Sequence, residues 1–227
     1  MSSAFNRVVQ KLDWPASVFT PARLSQYQAA MNGDPAGVLK LYSLNLQASA
    51  EMHLWLGLLE ITLRNALIET LMPVERHEGF DPLLSIWADL SPAEKGAYKK
   101  AQNQAATKAK PGNFNALITE LPFGFWRSLL SSKHQTSLWV TNFRWAFPGL
   151  RQKRRATVFS AVESAVELRN RIAHHEPIFN RHLGQDLAQV QQIIGWISPE
   201  ALAWARANLP CEVIGVRWGE GENPTFT

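Results

Sequence analysis

Several residues that could do chemistry lie together just before one proline: Arg169, Asn170, His174 and His175 precede Pro177. A guanidinium group binds phosphate, an imidazole transfers protons near neutral pH, and a carboxamide can hold either group in place. Asn170 and His174 are four residues apart, the spacing that puts two side chains on one face of a helix. This combination indicates proton transfer at a phosphate.

A helix from about Leu150 to His175 is expected to carry these residues. Pro177 limits it, because proline lacks a backbone donor and disfavours helical angles in the preceding residue. Arg169 falls on the apolar stripe of this helix, where a guanidinium is costly unless an anion meets it. Arg169 and His174 are about 140° apart around a straight helix, so they converge only across a cleft or where the helix unwinds. The predicted buried face consists of Val158, Phe159, Val162, Ala165, Val166, Ile172 and Ala173.

A second amphipathic segment is the expected neighbour of this helix. Its helical pattern starts at Asp34-Pro35 and stops before Pro73, which is long for one helix, so a bend or break is predicted near residues 43–50. Glu60 and Arg64 are spaced as a favourable ion pair, and Glu60 is a candidate partner for Arg169. The apolar face of its second half consists of Met52, Trp55, Leu56, Leu59, Leu63, Ala66 and Leu67.

The remaining pattern is helical as well, so the predicted fold class is all-α. Further helices are expected over about 21–31, 92–108, 185–196 and 199–209, with loops elsewhere between residues 77 and 114. Residues 212–217 suggest a short extended piece. We expect one domain over residues 1–209, followed by a C-terminal tail over 210–227.

Composition narrows the class of protein. The formal net charge is +4 and the isoelectric point is near 9.4, which is compatible with a polyanionic partner without defining one. The single cysteine, Cys211, cannot form an internal disulfide. No apolar stretch approaches the ~20 residues of a membrane span, and the first residues lack the apolar core of a signal peptide. The expected location is the cytoplasm, with no membrane contact.

Basic and aromatic residues are concentrated between residues 121 and 155. One interpretation is RNA binding, with the aromatic side chains stacked on unpaired bases and the cations on phosphates; the other is an aromatic core beside a solvated basic face. The cations are Arg151, Lys153, Arg154 and Arg155. The aromatic residues are those of the segment 123–126 together with Trp139, Phe143, Trp145 and Phe147.

The string from Arg169 to His174 resembles a known motif. An arginine, followed by a polar residue and separated from a histidine by four to six positions, is typical of HEPN-domain ribonucleases. The longer string to Ile178 and three segments at residues 41–45, 59–66 and 121–126 resemble Abi-like (abortive infection) proteins of that superfamily. These four segments occur in the same order and span roughly residues 25–209.

The resemblance implies a HEPN-like helical bundle whose main helices are residues 52–71 and 150–175, and a homodimer with the motif helices facing one cleft. It implies metal-independent RNA cleavage that leaves 2′,3′-cyclic phosphates, in a phage-defence or toxin effector whose further partner is an antitoxin or regulatory protein. In that scheme His174 is the acid/base group, Arg169 clamps the phosphate and Asn170 orients one of them. The supporting residues are Arg171, His175, Glu60, Arg64 and Asn65.

Two alternatives stay open. In the first, Glu60, Arg64 and Asn65 form a purely structural buried polar network with Arg169 and Asn170. In the second, the protein is a non-catalytic module that binds RNA or a partner protein. A metal site is not expected, because the histidines beside Glu176 lack the four-residue spacing of a zinc-protease helix. No glycine-rich nucleotide-binding loop occurs, so no cofactor is predicted.

Overall fold

The computed structural model describes residues 19–73, 80–108 and 113–217. The regular structure in these ranges is helical throughout, which confirms the all-α class. The short turns are 3₁₀ at Ser132–His134 and Phe143–Ala146 and π-helical at Gln135–Trp139. The α-helices are α1 (Pro21–Ala30), α2 (Pro35–Glu69), α3 (Pro82–Ser85), α4 (Pro92–Lys108), α5 (Phe114–Glu120), α6 (Phe123–Leu129), α7 (Arg155–Ala173), α8 (Leu183–Ile197), α9 (Pro199–Asn208) and α10 (Glu212–Arg217).

Helices whose first turn carries a capping residue and a proline begin at the predicted positions. Thr20 caps α1 by accepting from the Arg23 amide at 3.3 Å, and Ser198 caps α9 by accepting from the Ala201 amide at 3.1 Å. In both helices a proline occupies the first turn, where its missing N–H has no consequence. Helix α4 has its predicted bounds, and α8 begins two residues earlier than expected.

Four predictions of local structure are wrong. The sequence predicts a loop over residues 82–85, where the structure has the short helix α3. Helix α2 is unbroken over 35 residues, because residues 43–50 contain no proline or glycine and Asn45 and Ala48 are buried there. Helix α7 starts at Arg155 rather than Leu150. The preceding turn is fixed by Gly149, whose amide donates to the Trp196 carbonyl at 2.9 Å and where a Cβ would lie 2.6 Å from the Gly195 carbonyl oxygen. Residues 212–217 are helical rather than extended.

The chain forms two compact units. The described part of the first comprises residues 19–53, 171–185 and 210–217, and that of the second comprises residues 54–73, 80–108, 113–170 and 186–209. Helices α2, α7 and α8 contribute residues to both units. Each unit has its own buried apolar side chains.

An aromatic cluster and two polar anchors hold the first unit together. The Tyr27 ring packs against the Tyr42 and Phe179 rings, with centroids 5.1 and 4.9 Å away. Asn45 is 3% exposed, and its Oδ1 accepts from the amides of Ile178 and Phe179 at 2.8 and 3.1 Å. The Glu51 carboxylate accepts from the first amides of α10, Val213 and Ile214, both at 3.1 Å. These capping bonds explain why the C-terminal piece is a helix.

The second unit is built around the C-terminal half of α2. Its apolar stripe is buried at Trp55, Leu56, Leu59, Leu63 and Leu67, as the helical pattern predicts, whereas Ala66 is only partly buried. The buried face of α7 consists of Val158, Ala161, Val162, Ala165, Val166 and Leu168. Phe159 on α7 is only partly buried and Ala173 at its end is exposed, so the predicted stripe was wrong at these two positions. None of the helices that the structure describes has the length and apolar character to cross a membrane.

Candidate functional site

The motif segment lies at the end of α7, which terminates in a Schellman motif. The Glu176 amide donates to the Arg171 carbonyl at 2.8 Å, and the His175 amide donates to the Ile172 carbonyl at 2.9 Å. His175 adopts a left-handed conformation with φ of 55°, which is uncommon for a residue other than glycine. This motif makes His174 the C-cap residue and ends the helix four residues before Pro177.

Arg171 and His175 have structural contacts in this motif. Arg171 Nη2 donates to the Pro177 carbonyl at 2.9 Å, and its Nε lies 3.4 Å from Glu176 Oε2. The His175 carbonyl accepts from Arg23 Nη1 at 2.5 Å. These bonds fix the path of the chain after α7, which suits the flanking role expected for both residues.

His174 is placed differently from its neighbours. Its side chain is exposed, and among the described residues its imidazole has no hydrogen-bond partner. An exposed histidine whose ring has no hydrogen-bond partner is available for proton transfer with a bound substrate. Asn170, in the last turn of α7, is exposed as well.

Arg169 lies in the second unit beside Glu60. Its Nε is 3.9 Å from Glu60 Oε2, which is too long for a hydrogen bond, and this Nε is buried without a hydrogen-bond acceptor. The guanidinium carbon lies 5.8 Å from the centre of the Phe123 ring. Both charged side chains remain about a quarter exposed, at 23% and 27%. The Arg169–Glu60 contact fits two interpretations. In one, the two side chains form a structural ion pair; in the other, the guanidinium binds an anionic ligand.

The other expected supporting residues lie on α2. Arg64 is partly buried and Asn65 is exposed, and Arg64 Nε donates to Asn65 Oδ1 at 3.3 Å. This bond links neighbouring residues near the surface and contributes little to stability. The assignment of Arg169, Asn170 and His174 as a catalytic set stays a prediction, as does the support from Glu60, Arg64 and Asn65.

The basic cluster before α7 is partly structural. Arg151 and Arg154 are exposed. Arg155 Nη1 donates to the Leu130 carbonyl and its Nε to Gln135 Oε1, both at 2.8 Å. The charge available to a ligand therefore lies mainly on the residues before Arg155.

The aromatic segment is core with one exception. The buried rings are Phe123, Phe125, Trp126, Trp139, Phe143 and Phe147, so stacking of these rings on bases is excluded. Trp145 is 55% exposed. The Arg144 guanidinium carbon lies 4.4 Å and the Lys153 Nζ lies 4.5 Å from the centre of its ring. Trp145 is therefore the one ring of this set that lies at the surface, and two cations contact it.

A buried acid–imidazole pair was missed by the sequence analysis. His134 Nε2 lies 3.0 Å from Glu94 Oε1, and the two residues are 2% and 6% exposed. Glu94 also closes a capping box, in which its Oε2 accepts from the Ser91 amide at 2.7 Å. Burial alone would raise the pKa of Glu94, but hydrogen bonds from Ser91, Ser128 and His134 outweigh it and hold the pKa below its ordinary value. The Ser91-x-x-Glu94 spacing signals the capping box, but nothing in the sequence signals the pairing of Glu94 with His134.

Replacing Glu94 by alanine is expected to lower the free energy of unfolding by about 2–4 kcal/mol, because it leaves His134 buried without its partner. Urea denaturation measures this loss. Glu120→Ala is the matched control, since its partner Lys108 is 65% exposed and such pairs contribute less than about 1 kcal/mol. Equal losses in the two variants would refute a special role for the buried pair.

The same pair predicts a pH dependence of stability. Because the pKa of Glu94 is lowered in the folded chain, its stabilising contribution is complete above the ordinary value of 4.5 and is lost as the pH falls through the lowered pKa. Glu94→Gln should therefore lose less stability than the wild type on acidification below about pH 4.5.

Metal ligation finds no support in the described ranges. Among residues 19–73, 80–108 and 113–217, no three His, Cys, Asp or Glu side chains are grouped so that they could hold a metal ion.

Comparison of the chain with protein-family models, with curated proteins and with solved structures finds no match.

Proposed function

We propose that this protein is a cytoplasmic, metal-independent endoribonuclease of the HEPN type, similar to the Abi-like effectors of phage defence. The observation that carries the proposal is the state of His174. It is an exposed C-cap residue with no hydrogen-bond partner in the described part of the chain. Arg171, three residues earlier, instead donates a hydrogen bond to the Pro177 carbonyl in the turn. An exposed imidazole that no other described side chain engages is accessible for proton exchange with a bound substrate.

The proposed reaction uses groups of the chain and of the RNA alone. His174 accepts the proton of a ribose 2′-hydroxyl, whose oxygen attacks the adjacent phosphorus as the bond to the 5′-oxygen breaks. The His174 imidazolium formed in this way gives its proton to the leaving 5′-oxygen, and the strand ends in a 2′,3′-cyclic phosphate. Arg169 stabilises the charge that develops on the phosphate oxygens, and Asn170 orients the reacting groups.

Assembly into a homodimer is part of the proposal. On a straight helix Arg169 and His174 point about 140° apart, so one residue from each of two protomers meets a phosphate more simply than both from one. An antitoxin or regulatory protein would then act on a dimeric effector.

The basic residues before α7 are proposed to bind the RNA backbone. Arg151→Gln combined with Arg154→Gln should weaken binding of all RNAs and reduce the slope of log K against log salt concentration by about 1.4, because each phosphate contact to a single strand contributes ~0.7. The cleavage rate at saturating RNA should stay unchanged. Salt-dependent binding assays measure the slope.

The matched control for this double variant is Lys99→Gln with Lys100→Gln, two exposed cations of α4. It removes the same charge from a different surface, and its slope should equal that of the wild type. Equal slopes in all three proteins would show that the Arg151 and Arg154 side chains do not contact RNA phosphates and form only a solvated face.

The second candidate is a non-catalytic module that binds RNA or a partner protein. The contact of Arg169 with Glu60 and the Phe123 ring favours it, since it accounts for this arginine without a substrate. The experiment that separates the two candidates mixes purified protein with several classes of RNA in excess EDTA. The proposal requires RNA fragments, whereas the second candidate leaves the RNA intact.

A further inference from the structure

A cleft of about 540 Å³ opens within the first unit at the end of α7. Ile172, Ala173 and His175 form part of its wall, and α1 and the N-terminal half of α2 supply the rest. Its volume lies within the ~300–1,000 Å³ of sites for small molecules. No role in the proposed catalysis has yet been given to this space.

The polar groups of the cleft suit an anionic ligand. Arg23, His53 and His175 line it, and none of the described lining residues is acidic. Arg23 Nη1 is held by the His175 carbonyl, which fixes the guanidinium at the wall. A guanidinium flanked by imidazoles is a typical phosphate-binding set.

The remaining wall suits a planar ring. Tyr42, Leu46 and Ala50 line the cleft, and Leu46 is 49% exposed although it is apolar. Tyr27 lines it as well, and burial with a smaller contribution from Tyr42 raises its pKa to about 12, so its hydroxyl remains a hydrogen-bond donor. Aromatic and apolar surface together with hydroxyl groups can stack on a base and bond to its edges.

We propose that this cleft binds one nucleotide of the RNA strand, with its phosphate at Arg23, His53 and His175 and its base against Tyr42 and Leu46. The inference rests on the proposed function, because it makes the cleft the subsite that selects the base beside the cleaved bond. His174 lies in the chain between two residues of the cleft wall, Ala173 and His175, although it does not itself line the cleft.

The test is calorimetric titration of the full chain with the four nucleoside 5′-monophosphates and with the matching nucleosides. At least one monophosphate should bind, and its nucleoside should bind at least about tenfold more weakly because the charge-assisted hydrogen bonds are lost. Ala50→Phe should abolish binding by filling the cleft from an exposed position. His53→Ala should weaken it about tenfold.

His182→Ala is the matched control, because His182 is exposed in the same unit and does not line the cleft. It should bind as the wild type does. Monophosphates that bind equally well to Ala50→Phe, or none that binds at millimolar concentration, would overturn the inference.

RNA cleavage measured on the same preparations keeps this inference apart from the proposed function. If the wild type cleaves RNA but binds no monophosphate, and Ala50→Phe cleaves with unchanged base preference, the cleft inference fails and the function stands. If a monophosphate binds and Ala50→Phe blocks it, but no RNA is cleaved, the cleft is a nucleotide site and the ribonuclease proposal fails.

Discussion

Replacing His174 by alanine is expected to lower the rate of RNA cleavage by ~10²–10⁴, the usual contribution of a general acid or base. The melting temperature should stay unchanged, because the side chain is exposed and has no hydrogen-bond partner among the described residues. Single-turnover cleavage and thermal melting on one preparation measure both quantities.

His182→Ala serves as the control for this variant too, since it removes an exposed imidazole outside the motif. Its rate should equal that of the wild type. A cleavage rate that falls equally in both variants would point to a general effect of imidazole loss and would contradict a specific role of His174.

The Arg169→Ala variant is expected to lose ~10²-fold or more in cleavage rate, while its affinity for RNA falls only modestly. A cation that meets charge developing in the transition state acts on the rate, because the ground state has less charge at that position. The cost in stability should be within about 1 kcal/mol, since the contact with Glu60 is long and partly exposed. Thermal melting, RNA binding and single-turnover cleavage together measure these effects.

Glu60→Gln is the control variant for Arg169→Ala, because it removes the negative charge beside Arg169 and leaves Arg169 in place. A catalytic Arg169 predicts a folded, active Glu60→Gln variant and a folded, inactive Arg169→Ala variant. A structural Arg169 predicts instead that both variants lose stability together. In that case the proposed site would consist of His174 alone.

A mixture of the two inactive variants tests the assembly. If each site takes Arg169 from one protomer and His174 from the other, subunit exchange between Arg169→Ala and His174→Ala protein restores about a quarter of the wild-type activity. A site built within one protomer gives no restoration.

The sequence predicts those features that depend on local chemistry. Thr20 and Ser198 start their helices by capping, and the apolar stripe of α2 is buried as its spacing requires. The end of α7 was predictable too, because Pro177 limits the helix. The type of turn was not predictable, because nothing in the sequence marks His175 for a left-handed conformation.

Features that depend on distant partners were beyond sequence analysis. Helix α10 exists because Glu51, far away in the chain, accepts hydrogen bonds from its first amides. Trp145 differs from the buried aromatic residues around it only in where the fold places it. The Glu94–His134 pair likewise joins residues 40 positions apart, and the cleft in the first unit is assembled from three separate segments.

The most direct test of the account is the chemistry of the ends that cleavage leaves. End-labelled RNA is incubated in excess EDTA with wild-type protein and with His174→Ala protein, and the 3′ ends of the fragments are identified. The account predicts 2′,3′-cyclic phosphate from the wild type and intact RNA from the variant. Fragments that form equally with both proteins, or that appear only when a divalent metal ion is added, would contradict it.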